Sequence, residues 1–295
     1  MDFHKVFLLI PVHNRRTTTI AGLGNLQETH NLDRWGIVVI DDGSTDGTAD
    51  AIAAMFPQVT ILKGDGNLWW AGAIYKGMEY AYRQGAEFFV WLNDDTLPLP
   101  NAIADLVSFC AAVPHRIATA QCYTDATLTQ TTYGGRAVKG LSLKTLTAAP
   151  EETIDCDVCS GNLVCLPRSV IDKIGHLPWQ HTPQTWADVV YTWQAKQAGF
   201  EIKILGTAMA LCPENTLEVG WASSPIPMIE RWKMLNSPKS SIYPPAYGFY
   251  CKSLYGIWGV VPFIQVYLKL IAFTLIRALI PLKILKYLKE IKDEF

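Results

Sequence analysis

Three short apolar runs in the first hundred residues are each followed by an acidic cluster, and this pattern constrains the fold more than any other feature. Each run has the length of a strand that is buried on both faces. The runs and their clusters are residues 36–40 with Asp41 and Asp42, residues 59–63 with Asp65, and residues 88–92 with Asp94 and Asp95. If the strands are parallel, all three clusters share one edge of the sheet, where open α/β sheets bind ligands. Crowded carboxylates repel each other, so the pattern favours a divalent cation at that edge.

Strands and helices alternate along the same part of the chain. A fourth apolar run, over residues 5–12, predicts a first strand, and helical segments separate the four strands. This alternation predicts an α/β fold with a Rossmann-like, mostly parallel central sheet flanked by helices. The predicted helices of this part span residues 16–31, 46–56 and 70–83.

The pattern is weaker beyond residue 100. We predict helices over residues 101–113, 168–174 and 186–198, strands over 117–122 and 200–205, a hairpin or mobile insertion over 124–155, and a strand interrupted by a tight loop over 155–166.

The loop after the first predicted strand excludes two common ways of binding phosphate. Residues 13–16 read His-Asn-Arg-Arg and contain no glycine. A dinucleotide fold would have Gly-x-Gly-x-x-Gly here, and a P-loop would have its own glycine-rich signature. A phosphorylated ligand would therefore be held another way, most simply through a metal ion.

Composition and cysteine usage exclude further classes. The chain has 295 residues, 49% of them hydrophobic, and a net charge of −2, which gives no electrostatic basis for binding nucleic acid. The apolar run near the N-terminus is too short for a signal peptide. Seven cysteines without such a peptide predict free thiols in a reducing, cytoplasmic compartment. Cys156 and Cys159 have redox or half-zinc spacing but no second pair, so we interpret them as structural thiols.

Several motifs together resemble family 2 glycosyltransferases with the GT-A fold. The motifs are Ile-Pro-Val-His-Asn at residues 10–14, Val-Val-Ile-Asp-Asp-Gly-Ser-Thr-Asp at 38–46, Asn-Asp-Asp at 93–95 in the place of the "DXD" motif, Ser-Gly-Asn at 160–162, and Trp-Ala-Asp at 186–188 ahead of Gly199. The segments at 64–73, 212–216 and 230–239 are similar to bacterial enzymes that build cell-surface polysaccharide, some of them rhamnosyltransferases. The resemblance covers residues 6–239.

The resemblance implies an inverting enzyme that transfers a sugar from a UDP- or dTDP-linked donor to a hydroxyl of a glycan or lipid-linked acceptor. Asp95 would bind Mg²⁺ or Mn²⁺, and Asp188 would be the general base for the acceptor hydroxyl. The implied donor-binding residues are Pro11, Val12, Asn14, Arg15, Asp42, Asp65, Asn67, Trp70, Ala73, Asn93 and Asp94, and the implied acceptor-binding residues are Ser160, Gly161, Asn162 and Trp186.

Some positions depart from the family pattern or allow a second interpretation. Asn93 stands where the first acidic residue of the motif is expected, and Cys212 occupies the region where many relatives have a histidine. Asp188 also suits the N-terminus of a helix, through the helix dipole. Trp70 suits core packing as well as stacking on a sugar. Two other functions stay open: a nucleotidyltransferase that makes nucleotide-sugars, and a catalytically silent sugar-binding or scaffold subunit.

The resemblance divides the chain at residue 240. Residues 1–240 would form the catalytic domain, with a nucleotide-sugar-binding half over 1–100 and an acceptor-binding half over 101–240, and residues 241–295 a helical, apolar and basic segment. Pro262, Gln265, Lys269 and Arg277 interrupt residues 254–282, so we expect no clean run of the ~20 apolar residues that a spanning helix needs. A basic amphipathic segment over 254–292 fits peripheral contact with an anionic membrane, at the inner face of the cell membrane. The alternative is packing on the catalytic domain or on a second copy, as a homodimer.

Overall fold

The computed structural model describes residues 5–214 and 227–279. The chain forms two compact units, residues 1–215 and 216–295. The predicted boundary near residue 240 therefore falls inside the second unit. All predicted site residues belong to the first unit.

The first unit alternates strands and helices along most of its length. Its strands are β1 (Val6–Val12), β2 (Gly36–Asp41), β3 (Thr60–Lys63), β4 (Phe88–Leu92), β5 (Leu97–Pro98), β6 (Arg116–Tyr123), β7 (Gly135–Lys139), β8 (Ser142–Thr145), β9 (Thr153–Asp155), β10 (Val158–Cys159), β11 (Leu163–Pro167) and β12 (Glu201–Leu211). Its helices are α1 (Arg16–Glu28), α2 (Thr48–Met55), α3 (Trp69–Arg83), α4 (Ala102–Ala111), α5 (Arg168–Ile174) and α6 (Ala187–Gln197).

Within residues 5–214 the main sheet has nine strands, eight of them in the order β3-β2-β1-β4-β11-β6-β12-β5, with β9 paired to β12. The first four strands are mutually parallel, as are β6 and β12. Strand β11 runs antiparallel between β4 and β6. The predicted α/β class and the mostly parallel central sheet are confirmed. The carboxyl ends of β1, β2, β3 and β4 therefore meet at one edge of the sheet.

The central strands are buried on both faces. In β4, Phe89 and Trp91 pack into one hydrophobic cluster while Val90 and Leu92 pack into the other. Successive strand residues point to opposite faces, so a strand covered on both sides must be apolar at every position. This is why the apolar runs in the sequence are continuous rather than alternating.

A small second sheet interrupts the pattern and corrects one prediction. Strands β7 and β8 form an antiparallel hairpin, and β10 pairs with β7. The hairpin predicted within residues 124–155 is confirmed. The predicted strand with an internal loop over 155–166 is wrong, because β10 belongs to the small sheet and β11 to the main one. The three residues Ser160, Gly161 and Asn162 carry the chain from one sheet to the other.

The seven cysteines are free and buried. Burial raises the pKa of Cys156 to about 12 and raises that of Cys159 as well. Thiols held in the protonated form are poor nucleophiles and poor metal ligands. Their burial agrees with the interpretation of these two as structural thiols.

The described part of the second unit is helical. It contains α7 (Met228–Leu235), α8 (Pro244–Tyr255), a 3-10 turn at Gly256–Gly259, and α9 (Val260–Leu279). Counted through the turn, the segment Pro244–Ala278 is long and apolar enough to cross a membrane, and only 11% of its most apolar window is buried. Charged residues interrupt the segment, but its mean hydropathy is still high enough for a membrane-spanning helix. Residues 280–292 of the predicted membrane-contact segment lie outside the described residues.

Candidate active site

The acidic tip after β4 packs against the first turns of α1. The Thr19 hydroxyl donates to Asp94 Oδ2 at 3.0 Å. A Cβ on Gly22 would lie 2.6 Å from the carbonyl oxygen of Asp94, so only glycine lets the helix come this close. The side chain of Asp94 is 4% exposed, whereas that of Asp95 is 20% exposed. The tip therefore has one buried carboxylate and one that a ligand can reach.

Arg15 bridges the two carboxylates. Its Nη1 lies 3.1 Å from Asp94 Oδ1, and its Nη2 lies 2.9 Å from Asp95 Oδ2. Burial raises the pKa of Asp94 to about 6 and Asp95 acts in the same direction, while the charge of Arg15 and the Thr19 hydrogen bond oppose the rise. Burial acts to lower the pKa of Arg15, but Asp94 and Asp95 outweigh it, so that pKa is raised. The guanidinium is thus a charged partner of the whole tip.

Cys212 closes the other side of Asp95. Its thiol is 4.0 Å from Asp95 Oδ1, and it accepts a hydrogen bond from Asn162 Nδ2 at 3.3 Å. Burial raises the pKa of this thiol. A neutral thiol therefore stands in the region where the family resemblance predicts a histidine.

Asp42 holds the loop that follows β3. Its Oδ1 accepts the backbone N–H of Gly66 at 2.8 Å, and its Oδ2 accepts that of Trp69 at 3.0 Å, at the start of α3. Asp42 is 5% exposed. Each oxygen accepts a backbone N–H, so Asp42 positions this loop, and its role in donor binding stays a prediction.

The loops after β1 and β2 are joined through Asn14. Its Oδ1 accepts the backbone N–H of Thr45 at 2.8 Å, and its own N–H donates to Ser44 Oγ at 2.8 Å. His13 Nδ1 bonds the carbonyl oxygen of Asp42. Asn14 has a positive φ of 51°, which asparagine tolerates better than most residues. These contacts fix the backbone of the predicted nucleotide-binding edge.

Trp70 links α3 to the acidic tip. Its Nε1 donates to Asn93 Oδ1 at 2.8 Å, and its backbone N–H donates to Gln184 Oε1 at 2.9 Å. The indole also meets the buried Trp91 edge-on, with ring centroids 5.7 Å apart. Trp70 is half-buried. Trp70 therefore makes a core contact, as one of the two interpretations expects, and its stacking on a sugar stays a prediction.

Asp188 lies in the first turn of α6 and binds the backbone of the 160–162 loop. Its Oδ2 accepts the N–H of Gly161 at 2.8 Å, and its Oδ1 accepts the N–H of Val189 at 2.8 Å. The residue keeps some solvent contact. Desolvation of the carboxylate raises its pKa above the usual aspartate range, although both hydrogen bonds oppose that rise. A raised pKa together with remaining access suits a group that takes up a proton.

The 160–162 loop connects Asp188 to the acidic tip. Gly161 binds Asp188, while the carbonyl oxygen of Asn162 accepts the N–H of Asn93 at 3.0 Å. The side chain of Asn162 reaches Cys212, beside Asp95. Two consecutive residues, Gly161 and Asn162, therefore connect Asp188 with Asn93 and Cys212 beside the acidic tip.

The structure brings most of the predicted site residues to this edge, with differences in exposure. Ala73 is 1% exposed and Val12 is 4% exposed, and both side chains pack in the core, while their contact with the donor stays a prediction. Asp65 and Asn67 are exposed on the loop that Asp42 holds.

The remaining predicted site residues lie at other positions. Pro11 pairs with Ile40 near the end of β1. Ser160 is buried, and its N–H donates to the carbonyl oxygen of Gly134. Trp186 caps α6 with a positive φ of 71°.

Three further residues make contacts at the site and were not predicted from the sequence: Thr19, Gly22 and Gln184. Thr19 follows Arg15 by four residues, a spacing that puts both on one side of the start of α1. That spacing could have identified Thr19 as a partner of the tip. Gly22 extends the same helix face, but the sequence does not say what lies opposite. No sequence pattern identifies Gln184 as a residue of the site.

The sequence that forms this site matches a family model. The model described as "Glycosyl transferase family 2" matches residues 7–175, which include every strand from β1 to β11. The chain belongs to glycosyl transferase family 2. The predicted family is confirmed.

One curated relative and two solved structures are similar to this member of the family. The relative is the UDP-N-acetylglucosamine–dolichyl-phosphate N-acetylglucosaminyltransferase of Methanococcus voltae, 27% identical over 117 residues, 35% of this chain. The match spans 45% of the relative's own length, less than half of it.

The structures support the GT-A fold. GalNAc-T7, crystallised with UDP, GalNAc and Mn²⁺, has a TM-score of 0.60 at 13% identity, covering 86% of this chain and 51% of its own. The mannosyltransferase PcManGT from Pyrobaculum calidifontis, in complex with GDP-Man and Mn²⁺, has a TM-score of 0.55 at 16% identity, covering 99% of this chain and 81% of its own. The predicted GT-A fold is confirmed.

Proposed function

We propose that this protein is an inverting, metal-dependent glycosyltransferase that moves a sugar from a UDP- or dTDP-linked donor to a hydroxyl of a glycan or lipid-linked acceptor. The observation that supports this best is the 160–162 loop, because its residues bond Asp188 and also contact Asn93 and Cys212 at the acidic tip. A carboxylate able to accept a proton is thus linked through one short loop to Asn93 and Cys212, the neighbours of the carboxylate suited to a cation. Residues 1–100 would bind the donor and residues 101–240 the acceptor.

The oxygen ligands at the tip fit Mg²⁺ or Mn²⁺. Asp95 would be the principal ligand, with Asp94 beside it. Among residues 5–214 and 227–279 no group of three or more His, Cys, Asp or Glu side chains is arranged so that it could hold a metal ion. Mg²⁺ commonly binds through one or two carboxylates and takes its other ligands from water and substrate phosphates. Asp95 and Asp94 would therefore be enough ligands from the protein. When bound, the cation would neutralise charge on the departing diphosphate.

Asp188 would be the general base. Its two backbone hydrogen bonds fix the carboxylate, and the remaining lone pairs can accept the proton of an acceptor hydroxyl. One base opposite one diphosphate leaving group suits a single displacement with inversion. Trp70, against Gly161 and bonded to Asn93, would border the sugar between these two groups.

The curated relative's name suggests the acceptor class. That protein acts on dolichyl phosphate by its name. A lipid-linked acceptor fits a chain whose second unit contains a helix long and apolar enough to cross a membrane. We therefore place the enzyme at the cytoplasmic face of the cell membrane, in cell-surface polysaccharide assembly, with hexose or rhamnose as the transferred sugar.

A donor screen tests the proposed function. Purified protein with Mn²⁺, a panel of UDP-, dTDP- and GDP-sugars and an extract of lipid-linked glycans should give one acceptor heavier by one sugar residue in mass spectrometry. The product's anomeric configuration, read by NMR, should be opposite to that of the donor. Nucleotide binding without any transfer product would favour the scaffold function instead.

The exposed apolar face of the tail should attach the protein to membranes. Its large side chains include Ile264, Leu268 and Leu275, each at least 49% exposed. In liposome flotation, the Leu268→Asp, Leu275→Asp double variant should lose most of the bound fraction, because each charge is costly to bury in a bilayer. Met55→Asp, at an apolar position 58% exposed in the first unit, is the matched control and should float like wild type. Equal flotation of all three proteins would contradict membrane attachment through α9.

A further inference from the structure

Arg15 already neutralises the carboxylate that would hold the metal. The guanidinium contacts one oxygen of each tip residue, Oδ1 of Asp94 and Oδ2 of Asp95. The other oxygen of Asp94 accepts the Thr19 hydroxyl. The other oxygen of Asp95, Oδ1, has one hydrogen-bond partner among residues 5–214 and 227–279, the Cys212 thiol at the long distance of 4.0 Å.

A divalent cation bound through Asp95 would therefore lie beside a fixed positive charge. Like charges this close repel strongly in a partly buried site. The cation can bind through Oδ1 against that repulsion, or the guanidinium can leave Oδ2. Arg15 can leave, because its side chain is 43% exposed and its helix begins only at the next residue.

A nucleoside diphosphate offers Arg15 an alternative partner. Guanidinium groups bind phosphate oxygens in the same two-bond geometry that they use with carboxylates. Once Arg15 pairs with a phosphate oxygen, the Oδ2 atom of Asp95 becomes available to the cation. The cation and the diphosphate would then help each other to bind, because the cation alone must displace Arg15 and the diphosphate alone must draw Arg15 away from the two carboxylates.

We propose that Arg15 is the resident counter-cation of Asp95, which a divalent cation must displace and which a nucleoside diphosphate draws away. This inference rests on the proposed function, in which Asp95 binds the metal and the donor carries a diphosphate. It assigns Arg15 a second task beyond donor binding: it couples metal binding to donor binding. Such coupling is reciprocal, so each ligand raises the affinity of the other by the same factor.

Removing Arg15 should change the two affinities in opposite directions. In Arg15→Gln, Mn²⁺ alone should bind about tenfold more tightly, and UDP alone about tenfold more weakly, as typical coupling energies suggest. The factor by which UDP raises Mn²⁺ affinity should fall towards one. Arg15→Lys keeps the charge but loses the two-bond geometry, so it should lie between wild type and Arg15→Gln in both titrations.

Manganese binding can be measured without turnover, from the loss of the free Mn²⁺ signal in electron paramagnetic resonance, with and without UDP. UDP binding without metal is measured by calorimetry. Arg16→Gln is the matched control, since the neighbouring arginine is exposed and no ion pair to the tip is seen for it within residues 5–214. It should behave as wild type.

The outcomes separate the inference from the proposed function. Equal or weaker Mn²⁺ binding by Arg15→Gln would overturn the inference while leaving Asp95 as a metal ligand. Mn²⁺ binding that survives unchanged in Asp95→Asn, or that is absent from every protein even with UDP, would overturn the metal assignment itself. Arg15→Lys keeps the test decisive if Arg15→Gln does not fold.

Discussion

Replacing Asp188 by asparagine should lower the rate of sugar transfer by about 10²–10⁴-fold, the usual contribution of a positioned general base. Asparagine keeps the size of the side chain and one oxygen but cannot take up a proton. The substitution at residue 188 leaves the residues of the acidic tip unchanged. Affinities for the nucleoside diphosphate and Mn²⁺ should therefore stay at the wild-type value. Transfer is measured under single-turnover conditions and binding by calorimetry.

The pH profile of the wild-type enzyme gives a second measurement of the same role. A base must be unprotonated to work, so kcat/KM should fall as the pH falls. Because burial raises the pKa of Asp188, that loss should begin at a higher pH than for an ordinary aspartate. The residual activity of Asp188→Asn should not show this acidic limb.

Asp105→Asn is the matched control for Asp188→Asn. Asp105 is also an aspartate in the first turn of a helix, and burial also raises its pKa, but it lies on α4, away from the site. If Asp188 served only the helix dipole, both substitutions would change thermal stability slightly and neither would change turnover. Near-normal transfer by Asp188→Asn would therefore show that the base is another group.

The sequence predicts the sheet better than it predicts the contacts of the site. The apolar run of β4 is readable because Phe89 and Val90 must each meet a core on its own side of the sheet. Parallel pairing then brings the acidic strand ends together without any knowledge of side chains.

The direction in which each carboxylate points does not follow from such a pattern. Asp42 could face a ligand or the backbone, and the choice depends on the loop at residues 64–69, whose N–H groups it accepts. The partners of Arg15 lie 80 residues further on and become its neighbours only in the folded chain. The switch between sheets at Gly161 also depends on pairing over long sequence distances.

Gly161→Ala should have the second largest effect. A Cβ at residue 161 would lie 2.5 Å from Cζ2 of Trp70 and 3.3 Å from the Cβ of Asp188. Its φ is not positive, so the backbone itself accepts alanine and the effect is purely steric. The indole cannot move away without breaking its hydrogen bond to Asn93 and its packing on Trp91.

The 160–162 loop must therefore shift instead, and this withdraws the Gly161 N–H from Asp188. We expect transfer to fall by about 10²-fold, as for other displacements of about 1 Å in active sites. The strain should also lower the free energy of unfolding by about 1–3 kcal/mol. Both are measurable on one preparation, by initial rates and by urea denaturation.

Two further variants isolate the clash as the cause. Gly24→Ala on α1 meets nothing within 4 Å, so it should raise stability by about 0.5–1 kcal/mol without changing transfer. Trp70→Phe removes the part of the ring that the new Cβ would strike, although it also removes the bond to Asn93. In the Gly161→Ala, Trp70→Phe double variant the stability loss should be smaller than the sum of the two single losses, because the two changes act on one contact. Additive losses would mean that alanine at residue 161 disturbs the loop by some route other than the indole, and the link between Trp70 and the base would then have to be abandoned.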